Sequence, residues 1–144
     1  MKAKRVGIIG IGQSEYKARR NDANYPELVR EAVALALHDA NRELVQIEAV
    51  VYSLAPDALL GIGNAERLGV DAVGARNKRF MRINTGGSTG ISSVAVGHAH
   101  VAAGACELVL VAGADKVGES GDSQTILNKI WDPTFERQLP LGTI

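Results

Sequence analysis

Two runs of consecutive apolar residues, rich in β-branched side chains, limit the possible folds of this chain more than any other feature. Arg5–Ile11 reads RVGIIGI and Glu107–Gly113 reads ELVLVAG. An uninterrupted apolar run of this length is typical of a strand buried on both faces, as in a parallel sheet covered by helices. We therefore predict that both runs are buried strands of one sheet.

Helical and extended patterns alternate between these two runs. Apolar residues at helical spacing predict a helix from about Asn24 to Arg42. Further strands are predicted at Ala49–Tyr52 and Phe80–Asn84, with a small-residue helix at Ile91–Ala105. Two shorter helices are predicted at Ala65–Val73 and Ser123–Trp131. This order predicts an α/β layered fold with a largely parallel central sheet flanked by helices.

Charge and cysteine content narrow the class of protein. The 144 residues carry sixteen basic and sixteen acidic side chains, and this balance argues against a nucleic-acid or membrane-surface binder. A single cysteine, Cys106, excludes an intramolecular disulfide framework and a multi-cysteine zinc site, and it predicts a cytoplasmic protein. The longest apolar region, Ser92–Ala114, contains His98, His100 and Glu107, so it predicts a helix and a strand, not a membrane span.

The first glycine-rich turn follows the Arg5–Ile11 run. Gly10 and Gly12 invite comparison with the G-x-G-x-x-G pattern of dinucleotide-binding proteins, which opens directly into a helix. Here the third glycine is missing, and the next predicted helix begins about a dozen residues later. A plain turn between strand and loop is therefore the favoured interpretation.

A second glycine-rich loop, Gly86–Gly90, joins a predicted strand to a predicted helix and matches G-x-S-x-G. In that context Ser88 is a candidate nucleophile, or it caps the helix N-terminus. A serine hydrolase also needs a histidine. His98 and His100 lie about 15–18 Å along the predicted helix at 1.5 Å per residue, and no histidine follows them. A complete triad within this chain is therefore disfavoured.

Metal and thiol chemistry are also disfavoured. His98 and His100 are two positions apart, so on a helix they point to different faces and cannot share a metal ion. Cys106 has no basic neighbour in the sequence, and a small buried side chain is the favoured interpretation. We predict no metal site.

Several segments in a fixed order resemble the N-terminal portion of the thiolase superfamily, nearest its lipid-transfer (sterol-carrier) branch. They are Arg82–Gly90 (RINTGGSTG), Ala102–Gly104 and Leu108–Val117 (LVLVAGADKV). The resemblance covers essentially this whole chain but only the first portion of the family's length. It implies a thiolase-like N-terminal α/β domain in residues 1–118. Residues 119–144 are then the start of a loop region or tail, which is truncated or completed by a partner.

The resemblance places the family's acyl-accepting cysteine at Gly87, where this chain has no nucleophile. In the family the loop reads N-x-x-C-x-S-G, so Thr89 and Gly90 match the final Ser-Gly. Ser88 is one residue out of register with the missing cysteine and would need its own base. The loop residues assigned to substrate binding are Asn84, Gly86, Thr89 and Gly90.

Two functions follow from the resemblance, both with a coenzyme A thioester as substrate or ligand and no bound cofactor. The first is that of an acyltransferase-superfamily enzyme, related to acetyl-CoA acetyltransferases, which cleaves or forms C–C bonds by aldol-type chemistry without cysteine. Backbone N–H groups of Gly87 and Ser88 would bind the thioester carbonyl, beside a small partner subunit with an oligonucleotide-fold domain. The second is that of a non-catalytic lipid-binding or scaffolding subunit. In both, a homo-oligomer, such as a dimer, or a separate C-terminal half covers the exposed apolar surface.

Overall fold

The computed structural model describes residues 5–54 and 57–128, and its centre is a three-stranded parallel sheet. The strands are β1 (Ala49–Ser53), β2 (Arg79–Ile83) and β3 (Val109–Gly113), in the order β2-β1-β3. Val50 of the central strand pairs with Phe80 on one side and Leu110 on the other. The predicted α/β fold with a parallel sheet is confirmed.

Four helices surround the sheet in the described part of the chain. They are α1 (Tyr25–Asp39), α2 (Glu66–Gly69), α3 (Thr89–Ala102) and α4 (Ser123–Asn128). Short 3₁₀ turns lie at Leu44–Gln46, Asp57–Leu59 and Val117–Glu119. No helix among the described residues is long and apolar enough to cross a membrane.

Different helices cover the two faces of the sheet. Along β1, Val50 and Tyr52 belong to a core shared with Val29 and Val33 of α1. Side chains alternate between faces along a strand, so Val51 points to the opposite side, where α3 packs. Gly97 lets α3 approach closely, because a Cβ there would lie 2.7 Å from Val111 Cγ2.

Helix α1 begins where the sequence predicts. The Asn24 side chain accepts a hydrogen bond from the Glu27 N–H at 3.0 Å, and the Glu27 carboxylate accepts one from the Asn24 N–H at 2.8 Å. This reciprocal capping box satisfies two donors that would otherwise lack a partner. The helix ends at Asp39, three residues before the predicted end at Arg42.

Strand β3 has the predicted position but not the predicted burial. Leu110 and Ala112 are buried, whereas Val109 and Val111 are half-buried and Gly113 is exposed. The expectation of a strand fully buried on both faces is therefore wrong for this strand, because β3 is at the edge of the sheet and β1 takes the centre.

The prediction of a buried strand at Arg5–Ile11 is wrong. The segment forms no strand, and Ile8 and Ile11 are 76% and 74% exposed. The segment lies against α1, and the Ile11 N–H donates to Asp39 Oδ2 at 2.8 Å. Gly12 makes this contact possible, since a Cβ there would lie 2.3 Å from the Ala32 carbonyl oxygen.

The remaining local predictions are confirmed in part. Helix α2 occupies four residues of the predicted Ala65–Val73 segment, and α4 begins at the predicted Ser123. The predicted end of that helix at Trp131 lies outside the described residues, as does most of the predicted 119–144 tail. The division at residue 118 stays a prediction.

Candidate active-site loop

The loop Asn84–Ser88 leaves the carboxyl end of β2 and leads directly into α3. Its residues are exposed, and so is Gly90 in the first turn of the helix. In parallel α/β sheets, ligands bind outside the carboxyl ends of the strands. The N-terminus of α3 adds backbone N–H groups that have no partner inside the helix, together with a field that favours negative charge.

The Thr89 side chain fixes the shape of this loop. Its buried hydroxyl oxygen accepts a hydrogen bond from the Thr85 N–H at 2.9 Å and donates to the Gly86 carbonyl at 2.6 Å. The Asn84 side-chain oxygen accepts a further bond from the Gly86 N–H at 3.2 Å. Gly86 itself has a φ of 64°, a left-handed conformation that favours glycine. Two of the predicted substrate-binding residues, Asn84 and Thr89, thus hold the loop in place.

Gly87 lies at the exposed tip of the loop. A Cβ placed on it would meet no heavy atom within 4 Å, and its φ lies outside the left-handed region. A larger side chain is therefore compatible with both the space and the backbone at this position. In this sequence the position next to the helix N-terminus is open to a ligand.

Ser88 is the residue before α3, but its side chain makes no capping bond to the helix. Its hydroxyl donates to the Thr85 carbonyl at 3.0 Å and lies 3.1 Å from Thr85 Oγ1. Thr85 Oγ1 in turn donates to Ser92 Oγ at 2.9 Å. The interpretation of Ser88 as a side-chain cap is therefore wrong. Within the described chain its hydroxyl hydrogen-bonds only to Thr85 and to no base.

The histidines lie far along α3 from the loop, as the sequence predicts. His98 is exposed about two to three turns from Ser88. His100 Nδ1 lies 2.8 Å from the Val96 carbonyl oxygen within the same helix. Over residues 5–54 and 57–128, no three His, Cys, Asp or Glu side chains form a group that could hold a metal ion.

Cys106 is buried between α3 and β3, where the sequence places it. Burial raises the pKa of its thiol above the ordinary value, the Glu48 carboxylate adds to this rise, and Arg79 opposes it. The thiol is therefore kept protonated and away from the loop surface.

A cluster of charges lies at the carboxyl end of β2, and the sequence does not predict it. One guanidinium nitrogen of Arg82 lies 2.6 Å from Asp57 and 2.8 Å from Glu66, so it joins β2 to the segment before α2 and to α2 itself. Burial raises the pKa of Asp57, but the Asn64 N–H and Arg82 outweigh it, and the net shift is downward. The three residues are far apart in sequence, and no local pattern signals their contact.

A second cluster joins the segment before α1 to the segment after β3. Lys116 Nζ donates to the carbonyls of Arg20 at 3.1 Å and Ala23 at 2.8 Å, and it pairs with Glu119 at 2.7 Å. An open pocket of about 260 Å³ lies between residues 13–20 and 115–119. Neither Gly87 nor Ser88 lines this pocket, so it is separate from the candidate loop.

Comparison with known proteins places the fold. No protein-family model matches the sequence, and no curated protein matches it. Among solved structures, 3-oxoacyl-(acyl-carrier-protein) synthase III of Aquifex aeolicus matches with a TM-score of 0.58 and 20% identity over 70% of this chain. A structure described as an Ltp2–ChsH2(DUF35) aldolase matches with a TM-score of 0.60 and 24% identity over 78% of this chain.

The chain spans about a third of the length of these two structures, 33% of the first and 28% of the second. At these identities the similarity establishes the architecture. The parallel sheet flanked by helices is the part of the fold that this similarity supports. This chain therefore has a thiolase-like α/β fold.

Proposed function

We propose that this chain handles acyl-coenzyme A thioesters, and that it binds the thioester carbonyl at the loop Asn84–Ser88. The observation that carries the proposal is the open, exposed position at Gly87, next to the N-terminus of the fourteen-residue helix α3. Backbone N–H groups at a helix N-terminus stabilise an oxyanion without any side chain. Thr89 and Asn84 hold the loop so that this arrangement exists before the substrate binds.

The proposed reaction is aldol-type cleavage or formation of a C–C bond, because Gly87 offers no nucleophile for an acyl-enzyme. In the cleavage direction, a base removes the hydroxyl proton of a β-hydroxyacyl thioester. The Cα–Cβ bond then breaks and an aldehyde or ketone leaves. The electron pair of the broken bond stays on Cα and forms a thioester enolate, which is then protonated at that carbon. The loop would stabilise the enolate oxygen. Among the described residues the Ser88 hydroxyl hydrogen-bonds only to Thr85, so it has no base that could activate it as a nucleophile.

The base and the acid must come from outside the loop, and we propose that another polypeptide supplies them. A C-terminal half or a small oligonucleotide-fold subunit is the proposed source. Two facts support this part of the proposal. This chain spans about a third of its structural neighbours, and one neighbour is described as an aldolase with two named components, Ltp2 and ChsH2(DUF35).

Binding of the carbonyl can be tested on the chain itself. Octanoyl-CoA is titrated into isotope-labelled protein, and amide shifts are compared with those caused by the octyl thioether of coenzyme A, which lacks the carbonyl oxygen. We expect the thioester, and not the thioether, to shift the amides of Gly87 and Ser88. Equal shifts with both compounds, or none with either, would contradict carbonyl binding at this loop.

A non-catalytic lipid-binding or scaffolding role is the second candidate, and the glycine at position 87 favours it. Retro-aldol and thiolysis assays on this chain together with its partner polypeptides separate the two functions. Turnover in the retro-aldol assay supports the aldol-type enzyme. Thioester binding without turnover in either assay supports the non-catalytic role. Thioester hydrolysis that is lost in Ser88→Ala would instead show a serine hydrolase.

A further inference from the structure

We draw no further inference here: the strongest candidate, the open pocket of about 260 Å³ between residues 13–20 and 115–119, is lined by Lys17, Arg20 and Lys116, whose charges already pair with neighbouring carboxylates, and nothing in the structure shows which class of ligand it would take.

Discussion

The hydroxyl oxygens of Tyr25 and Tyr52 lie 2.7 Å apart in the interior of the protein, and this hydrogen bond joins α1 to the central strand. Burial, followed by the bond to Tyr52, raises the pKa of Tyr25 above its ordinary value. Burial also raises the pKa of Tyr52, although the bond from Tyr25 and the charge of Arg82 oppose it. Gly69 packs so closely on Tyr52 that a Cβ there would lie 2.2 Å from the hydroxyl oxygen.

Removing one of these two hydroxyls should destabilise the protein. Tyr25→Phe leaves the Tyr52 hydroxyl buried without this partner, and the reverse holds for Tyr52→Phe. We expect each single variant to lose about 1–3 kcal/mol of unfolding free energy. The double variant should lose less than the sum of the two, because it leaves neither hydroxyl unsatisfied. Urea denaturation measures all three, and strict additivity would contradict the coupling.

Gly87→Cys should create a reactive thiol without disturbing the fold. The space around the position is open, its backbone is compatible with a side chain, and the α3 N-terminus should lower the thiol pKa below about 8.5. We expect alkylation by iodoacetamide at a lower pH than for Gly7→Cys, the control at a second open glycine. We also expect the thiol at position 87 to accept an acyl group from octanoyl-CoA, detected by mass spectrometry. Identical pH profiles for the two variants would contradict a helix effect at this site.

Gly12→Ala should detach the amino-terminal segment from α1. The added methyl group would meet the Ala32 carbonyl oxygen and the Ala36 N, each 2.3 Å from the ideal Cβ position. We expect a loss of roughly 1–3 kcal/mol. Hydrogen exchange of the Ile11 amide, which is bonded to Asp39, should also become faster. Gly7→Ala, where a Cβ meets nothing, is the matched control and should leave both quantities unchanged.

Acid should weaken the contact between Arg20 and Asp22. The hydrogen bond from Arg20 lowers the pKa of Asp22 to about 2. A lowered pKa in the folded state gives stability that is present above the unfolded value of about 3.9 and is lost as the pH falls toward 2. Thermal unfolding between pH 5 and about 2 should show this loss, and Asp22→Asn should remove its share of it.

The control for this pH dependence uses the partner of Asp22. In an Arg20→Gln background the carboxylate has no guanidinium beside it, so Asp22→Asn should then change the pH profile little. The contact is assigned to the wrong pair if Asp22→Asn flattens the profile equally in both backgrounds.

Sequence patterns predicted the elements whose neighbours are local. The start of α1 near Asn24, strand β1 and the loop into α3 each depend on signals within a few residues, and the structure places them as predicted. The prediction of a strand at Arg5–Ile11 is wrong because an apolar β-branched run forms a strand only if another strand pairs with it. The contacts of Gly10 and Gly12 with α1 depend on residues twenty or more positions away.

The charged contacts were missed for the same reason. Arg82 meets Asp57 and Glu66 across separate elements, and Lys116 reaches carbonyl oxygens of residues 20 and 23. No periodicity links such positions. In the loop, the resemblance located Gly87 and Ser88, but the controlling role of the Thr89 hydroxyl came from the structure.

In the strand order β2-β1-β3, the two edge strands of the sheet, β2 and β3, differ in charge. The edge strand β2 carries two arginines within five residues, Arg79 and Arg82. Charged side chains on an edge strand disfavour pairing with a strand of another chain. The other edge strand, β3 (Val109–Gly113), has no charged side chain. Extension of this sheet is therefore directional. An added strand would pair with β3, and unwanted association during refolding would begin at that same edge strand.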